Sequence, residues 1–170
     1  MTPGLESLNS LAPEEAESEF LKCCGSRRWA QGMASLRPFK GMKELLEAAD
    51  RIWWGLKPGD WLEAFSRHPK IGERKAQLAQ AAEAARWSEQ EQAGTRDAAQ
   101  GALAELAALN RAYEERFGFI YIICATGRTT EEMLALLRQR LRNDYETELR
   151  VAAEEQRRIT HLRLGKLLEQ

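Results

Sequence analysis

What this 170-residue chain lacks bounds it first. No apolar run approaches the roughly 20 residues that a bilayer-spanning helix needs. No excess of basic charge exists either: Lys and Arg total 25 against 26 Asp and Glu, a formal net charge of -1. That balance offers no footprint for nucleic acid and no polybasic membrane patch. Cysteine is sparse and odd in number, at Cys23, Cys24 and Cys124, and with only two histidines it composes no zinc pattern. Free thiols in a reducing cytoplasm are the expectation. The segment MTPGLESLNSLAPEEAESEF lacks a basic stretch followed by an apolar one, and LLEQ is no peroxisomal address, so the expected location is cytoplasmic. GxGxxG, P-loop, CxxC and GxSxG patterns are all missing, as are internal repeats and low-complexity linkers.

What is present is Ala, Leu, Glu and Arg in helix-forming proportion, with little strand-like alternation. That composition predicts an all-α fold: one compact domain over 1–170, a bundle of roughly seven to nine helices, with 1–8 as a loose tail. Pro13 suits the first turn of the first expected helix, which stops near Gly25. RRWAQGMASL is a second, broken by Pro38. GMKELLEAADRIWWGL carries Leu45, Leu46, Ala49 and Trp53 at helical spacing and stops at Gly55 and Pro58. The short helix WLEAFSR ends at His68-Pro69, because proline pushes the residue before it out of the helical region. Arg74 to Arg116 is helix-prone with a break around WSEQEQAG. FGFIYIICATG lacks a partner strand, so a buried helix entered through Gly118 is expected. TTEEMLALLRQRL opens with a capping pattern, Asn143-Asp144 breaks it, and a long last helix follows.

Four features could carry chemistry. His68, set on a stiff turn by Pro69, is a proton carrier near neutral pH, unless it is only a surface or capping residue. Glu89-Gln90 follows a Trp-Ser boundary, where a helix start could aim side chains into a pocket, although in a helix-rich chain such a pair is usually solvated. Arg163 falls on one stripe with Leu149, Ala152, Gln156 and Ile159, so it faces inward and needs an anionic partner, whether ligand or structural carboxylate. Phe117-Gly118-Phe119 leads into the apolar run, where N–H groups at a helix start could bind an oxyanion, beside plain core packing. Unaided, these residues suggest an acid–base site with an arginine for an anion.

The ordered set CCGSRRWAQGM with RPF, AFSRHPKIGE, SEQEQAG, LNRAYEERFGFIYIICATGRT and RLRNDYETELRVAAEEQRRITHLRL resembles one family. It is the family of 2-oxo-4-hydroxy-4-carboxy-5-ureidoimidazoline (OHCU) decarboxylases, and the likeness runs from about Leu8 to Leu168. The resemblance implies a compact all-α fold, often a homodimer, with no metal and no organic cofactor. It implies conversion of OHCU to (S)-allantoin and CO2, the last step from urate to allantoin in purine breakdown. The family's HP histidine corresponds to His68. Its E-Q-x-x-A-G acid corresponds to Glu89, although EQEQAG also offers the Glu91-Gln92 register. Its arginine corresponds to Arg163 in RITHLRL. Substrate-binding positions follow at Pro69, Gln90, Phe119, Ile120, Tyr121, Ile122 and Ile123. One departure is that the family's small hydroxyl residue three positions before the acid is replaced by Arg86, with the serine at Ser88.

On that resemblance, His68 and Glu89 handle the substrate hydroxyl and the proton transfers. Arg163 and Gln90 orient its polar groups, amides near Phe119 hold an anionic oxygen, and Pro69 packs against the ring. The implied partners are a small-molecule substrate and a second copy of the chain, with neither nucleic acid nor membrane. A non-catalytic helical adaptor, or a lyase or hydrolase acting on a related ureide, are the competing readings.

Overall fold

The computed structural model describes residues 1–69 and 96–170, and the side chains of 96–99 are left aside. Among the described residues there are eight helices and no strand. They are α1 (Pro3–Ser10), α2 (Pro13–Cys23), α3 (Arg27–Ser35), α4 (Met42–Gly55), α5 (Pro58–Ser66), α6 (Arg96–Phe117), α7 (Thr130–Arg140) and α8 (Tyr145–Leu168). The all-α expectation holds. Two units are distinguished: Met1–Arg67 with Ala153–Gln170, and His68–Ala152, so that α8 contributes to each. No described helix is long and apolar enough to cross a membrane.

The first unit is built on aromatic side chains, and its three buried indoles are paired at their polar edges. Phe20 meets Trp29 and Phe39 edge-on, with ring centroids 5.9 and 6.5 Å apart. Trp53 lies 5.9 Å from Trp61 and 6.5 Å from Phe65. Each buried indole N–H reaches a backbone carbonyl: Trp29 to Ala49 at 3.1 Å, Trp53 to Ala153 at 2.9 Å and Trp61 to Trp53 at 2.9 Å. A buried indole without such an acceptor would carry an unpaired donor, so these bonds set the roll of α3, α4 and α5 as well as their spacing. α5 closes as expected, with Ser66 its last residue, Arg67 the cap and His68 outside the helix.

Two expectations are corrected. Residues 1–8 are not a loose tail: Thr2 caps α1, Pro3 fills its first turn, and Leu5 and Leu8 are buried. Distant residues hold the helix in place. Arg37 Nη1 donates to the carbonyls of Leu8 and Leu11, both at 2.8 Å, which supplies the partners a helix C-terminus lacks. Asn9 and the Phe39 backbone exchange two hydrogen bonds of 2.8 and 2.9 Å. Gly4 lies so close to the end of α8 that an added Cβ would overlap the Leu168 carbonyl.

The second correction concerns FGFIYIICATG, which is not a helix. α6 stops at Gly118, whose φ of 79° is the left-handed conformation typical of a helix end and whose N–H returns to Glu114 O at 2.8 Å. The chain then runs without regular structure until α7 begins at Thr130, behind the Thr129 cap. Expecting a helix here assumed that only regular structure could satisfy a buried backbone. Side chains do part of that work instead.

Because α1 is packed, Leu5→Ala is expected to cost about 2–5 kcal/mol, the range for a truncated core leucine. Gly4→Ala is expected to destabilise too, although alanine is the better helix former by about 1 kcal/mol. Urea unfolding midpoints check both, and unchanged midpoints would return the segment to a loose tail.

Candidate functional site

The second unit presents an extended segment held from behind. Phe119, Tyr121, Ile122 and Ile123 are all buried, and Ile120 is half-buried. Arg140 Nη1, near the end of α7, donates to the Ile122 carbonyl at 2.6 Å, and the guanidinium carbon lies 4.6 Å from the Tyr121 ring centroid. Tyr121 donates its hydroxyl to Met133 O at 3.0 Å. Arg140 is in turn neutralised by Glu148 on α8, with Nε 2.5 Å from Oε1. Asn143 Nδ2 donates to the other carboxylate oxygen at 3.0 Å, and the Tyr113 hydroxyl donates to Glu148 as well. Burial pushes the Tyr113 hydroxyl well above its ordinary range, and Glu148 adds to the shift despite the pull of Arg140, so it stays protonated as a donor.

Such a pair survives in an interior because every charged atom is hydrogen-bonded. Among the described residues the N–H groups of Ile122 and Ile123 donate to no intramolecular acceptor. The segment therefore supplies backbone donors on a fixed frame. They lie on extended chain, without the helix-end dipole that a helical reading of this stretch would have added.

In the first unit, Arg163 does not point inward. The buried face of α8 here runs through Ala153, Gln156, Thr160 and Leu164, while Ile159 and Arg163 sit at its edge, half-exposed. Arg163 Nη1 makes one long bond, 3.4 Å, to Lys22 O in the last turn of α2. Among the described residues it has no carboxylate within ion-pair distance, so the structural ion pair is not formed there. A guanidinium resting on the negative end of a helix keeps the rest of its donor fork for an anion.

Beside it lie two buried thiols. Burial pushes Cys23 up to about 12, against the pull of Arg163, and Cys24 to about 11, against hydrogen bonds from Ser26 and Thr160. All three cysteines are free and buried, and Cys23 and Cys24 stay protonated at neutral pH, so neither is a nucleophile.

His68 and Pro69 follow the α5 cap, with His68 half-buried. Glu89 and Gln90, with the Glu91-Gln92 register, Arg86 and Ser88, lie outside the described residues. By unit, Arg163 belongs to the first, and His68, Pro69 and Phe119 to Ile123 to the second. The residues that sequence reasoning missed are Arg140, Glu148 and Tyr113; nothing in their spacing marks them, because the contacts cross 27 and 35 positions. The second histidine was also passed over. His161 Nε2 lies 2.6 Å from Asp50 Oδ1, and Arg157 Nη1 lies 3.3 Å from Oδ2, tying α8 to α4. The i, i+4 spacing of Arg157 and His161 was the only available signal.

A family model described as OHCU decarboxylase matches residues 9–165. The uric acid degradation bifunctional protein TTL of Arabidopsis thaliana is 40% identical over 158 residues, covering 92% of this chain and 48% of that protein. The chain thus spans about half the length of that relative, and 27% of the bifunctional protein PucL of Bacillus subtilis. A 2-oxo-4-hydroxy-4-carboxy-5-ureidoimidazoline decarboxylase of Haloferax volcanii is 28% identical, covering 95% of this chain and 94% of that one. A crystal structure of OHCU decarboxylase in the presence of (S)-allantoin superposes with a TM-score of 0.73 and 39% identity, over 89% of this chain and 98% of that chain.

The thiol environment gives a pH dependence. A buried thiol raised to about 11 or 12 becomes thiolate only as the pH climbs toward that value, so alkylation of native Cys23 and Cys24 by iodoacetamide is expected to stay slow from pH 7 to 9. Peptide mapping after timed labelling, with denatured protein as reference, measures it; labelling at the denatured rate near pH 7 would contradict the burial.

Proposed function

Because the chain belongs to the OHCU decarboxylase family, we infer that it decarboxylates OHCU to (S)-allantoin and CO2. In this reaction the bond from the ring carbon to its carboxylate breaks, and the electron pair passes into the adjacent carbonyl–imine system as an enolate-like species. A proton must then reach one face of that carbon. Groups that stabilise the developing negative oxygen lower the barrier, and a positioned acid sets the stereochemistry.

The residue roles follow the chemistry of each side chain. His68 with Glu89 takes and returns protons at the substrate hydroxyl and the reacting carbon, and Pro69 stiffens the turn that carries the ring. Arg163, with Gln90, takes the anionic and carbonyl groups of the substrate. Backbone amides from Phe119 to Ile123 hold the developing oxyanion. The observation that carries this reading is Arg163 itself: a half-exposed guanidinium with one long backbone bond and no carboxylate partner among the described residues. The substrate is its missing anion. The reading includes action as a homodimer in the cytoplasm, without a cofactor, and without a nucleic-acid or membrane partner.

The test presents freshly generated OHCU and follows the optical rotation of the allantoin formed, because spontaneous decay of OHCU makes both rate and enantiomeric purity informative. His68→Asn is expected to lower kcat/KM by about 10²–10⁴-fold, the usual contribution of a general acid–base. Arg163→Ala is expected to weaken (S)-allantoin binding tenfold or more, about 1.4 kcal/mol. Wild-type rate and enantiomeric purity in His68→Asn would sink the acid–base assignment, and unchanged (S)-allantoin affinity in Arg163→Ala would make that arginine structural.

A further inference from the structure

Arg140 is spent on a single backbone carbonyl of irregular chain. It is 5% exposed, its charge is neutralised by a fully buried Glu148, and one arm of its fork reaches the Ile122 oxygen at 2.6 Å. The peptide unit that carries this oxygen also carries the N–H of Ile123. It is a trans peptide, so its carbonyl and N–H point in opposite directions. A cation bonded to the carbonyl draws electron density through the planar unit and makes the N–H a stronger donor, as in any hydrogen-bonded chain in a low dielectric. The Tyr121 ring lies beneath the guanidinium, its centroid 4.6 Å from the guanidinium carbon, and adds a second contact between Arg140 and the segment.

We propose that Arg140 is a positioning residue for decarboxylation: it orients and polarises the Ile122–Ile123 peptide so that the Ile123 N–H receives the oxyanion formed as CO2 leaves. Glu148 holds Arg140 in place, and Asn143 and Tyr113 hold Glu148. The proposal rests on the reading that amides of this segment meet the substrate. It adds which peptide is involved and what aims it.

Arg140→Gln, assayed at temperatures where urea titration shows it folded, is expected to lower kcat by about tenfold to a hundredfold with KM changed less than about threefold. That split marks an interaction made in the transition state, and the loss is smaller than for an oxyanion donor removed outright. Amide hydrogen exchange with (S)-allantoin as the probe separates the proposal from its premise. Protection at Ile123 is expected in the wild-type protein and is lost in Arg140→Gln. If Arg140→Gln does not fold, Arg140→Lys carries the same expectations, because its single amine keeps a charge near Glu148 without the fork that spans both partners. Wild-type kcat in the folded variant, or equal protection of Ile123 in both proteins, overturns the role of Arg140. Absence of (S)-allantoin protection at Ile123 in the wild-type protein instead overturns the amide reading beneath it.

Discussion

An irregular segment can run through a protein interior only if something answers its polar backbone groups, and in the second unit the Arg140–Glu148 pair does so. Two facing hydrophobic residues could pack as stably as a buried ion pair. They would leave the Ile122 carbonyl without the donor now 2.6 Å away, at a cost of about 1–3 kcal/mol for an unsatisfied buried group. The pair also has to satisfy itself, which brings in Tyr113 on α6 and Asn143 in the α7–α8 turn. Helix α6, helix α7 and the start of α8 therefore converge on one carboxylate, and the extended chain lies against the result.

The first unit meets a related constraint with neutral groups. Trp29, Trp53 and Trp61 are buried and still donate to carbonyls, one of them the Ala153 carbonyl within α8. That bond, with the His161 and Arg157 contacts to Asp50, fixes how α8 is rolled about its axis. The roll puts Thr160 and Leu164 inside and Arg163 at the boundary. A turn of the helix by one residue would bury the guanidinium without a counter-charge, which is prohibitive. The half-exposed position lets Arg163 remain charged without a carboxylate partner among the described residues.

Local patterning was legible, and nonlocal satisfaction was not. Pro13 and the Thr129 cap begin helices where their chemistry says they should, Pro58, expected only as a break, opens α5, and α5 ends before His68-Pro69 for the steric reason visible in the dipeptide. α1 escaped because its anchors, Arg37 and Asn9, make bonds spanning 29 and 30 positions. Phe119 to Ile123 misled because residue type and isolation from any partner strand pointed in opposite directions, and the residue that resolves the conflict is Arg140, 18 positions away from Ile122. The stripe expected on α8 through Ile159 and Arg163 lies at the edge of the buried face, which runs instead through Gln156, Thr160 and Leu164. Glu89 and Gln90 stand on family likeness alone, being outside the described residues.

Two arginines show how the same side chain is divided between holding and binding. In the proposed decarboxylation the substrate carries its own electron sink in the conjugated carbonyl–imine system, which leaves the protein to place donors and protons. A guanidinium that binds an anion must keep part of its planar fork unused, whereas one that positions a backbone is held at every nitrogen by the protein. Arg140 gives its Nε to Glu148, one terminal nitrogen to Ile122 and the other toward Tyr113 at 3.4 Å, so each of its three nitrogens is engaged within the protein. Arg163 gives one nitrogen, weakly, to Lys22. Burial and saturation together therefore separate the arginine that acts through the fold from the one that can act on a substrate, a distinction the letter R in the sequence does not carry.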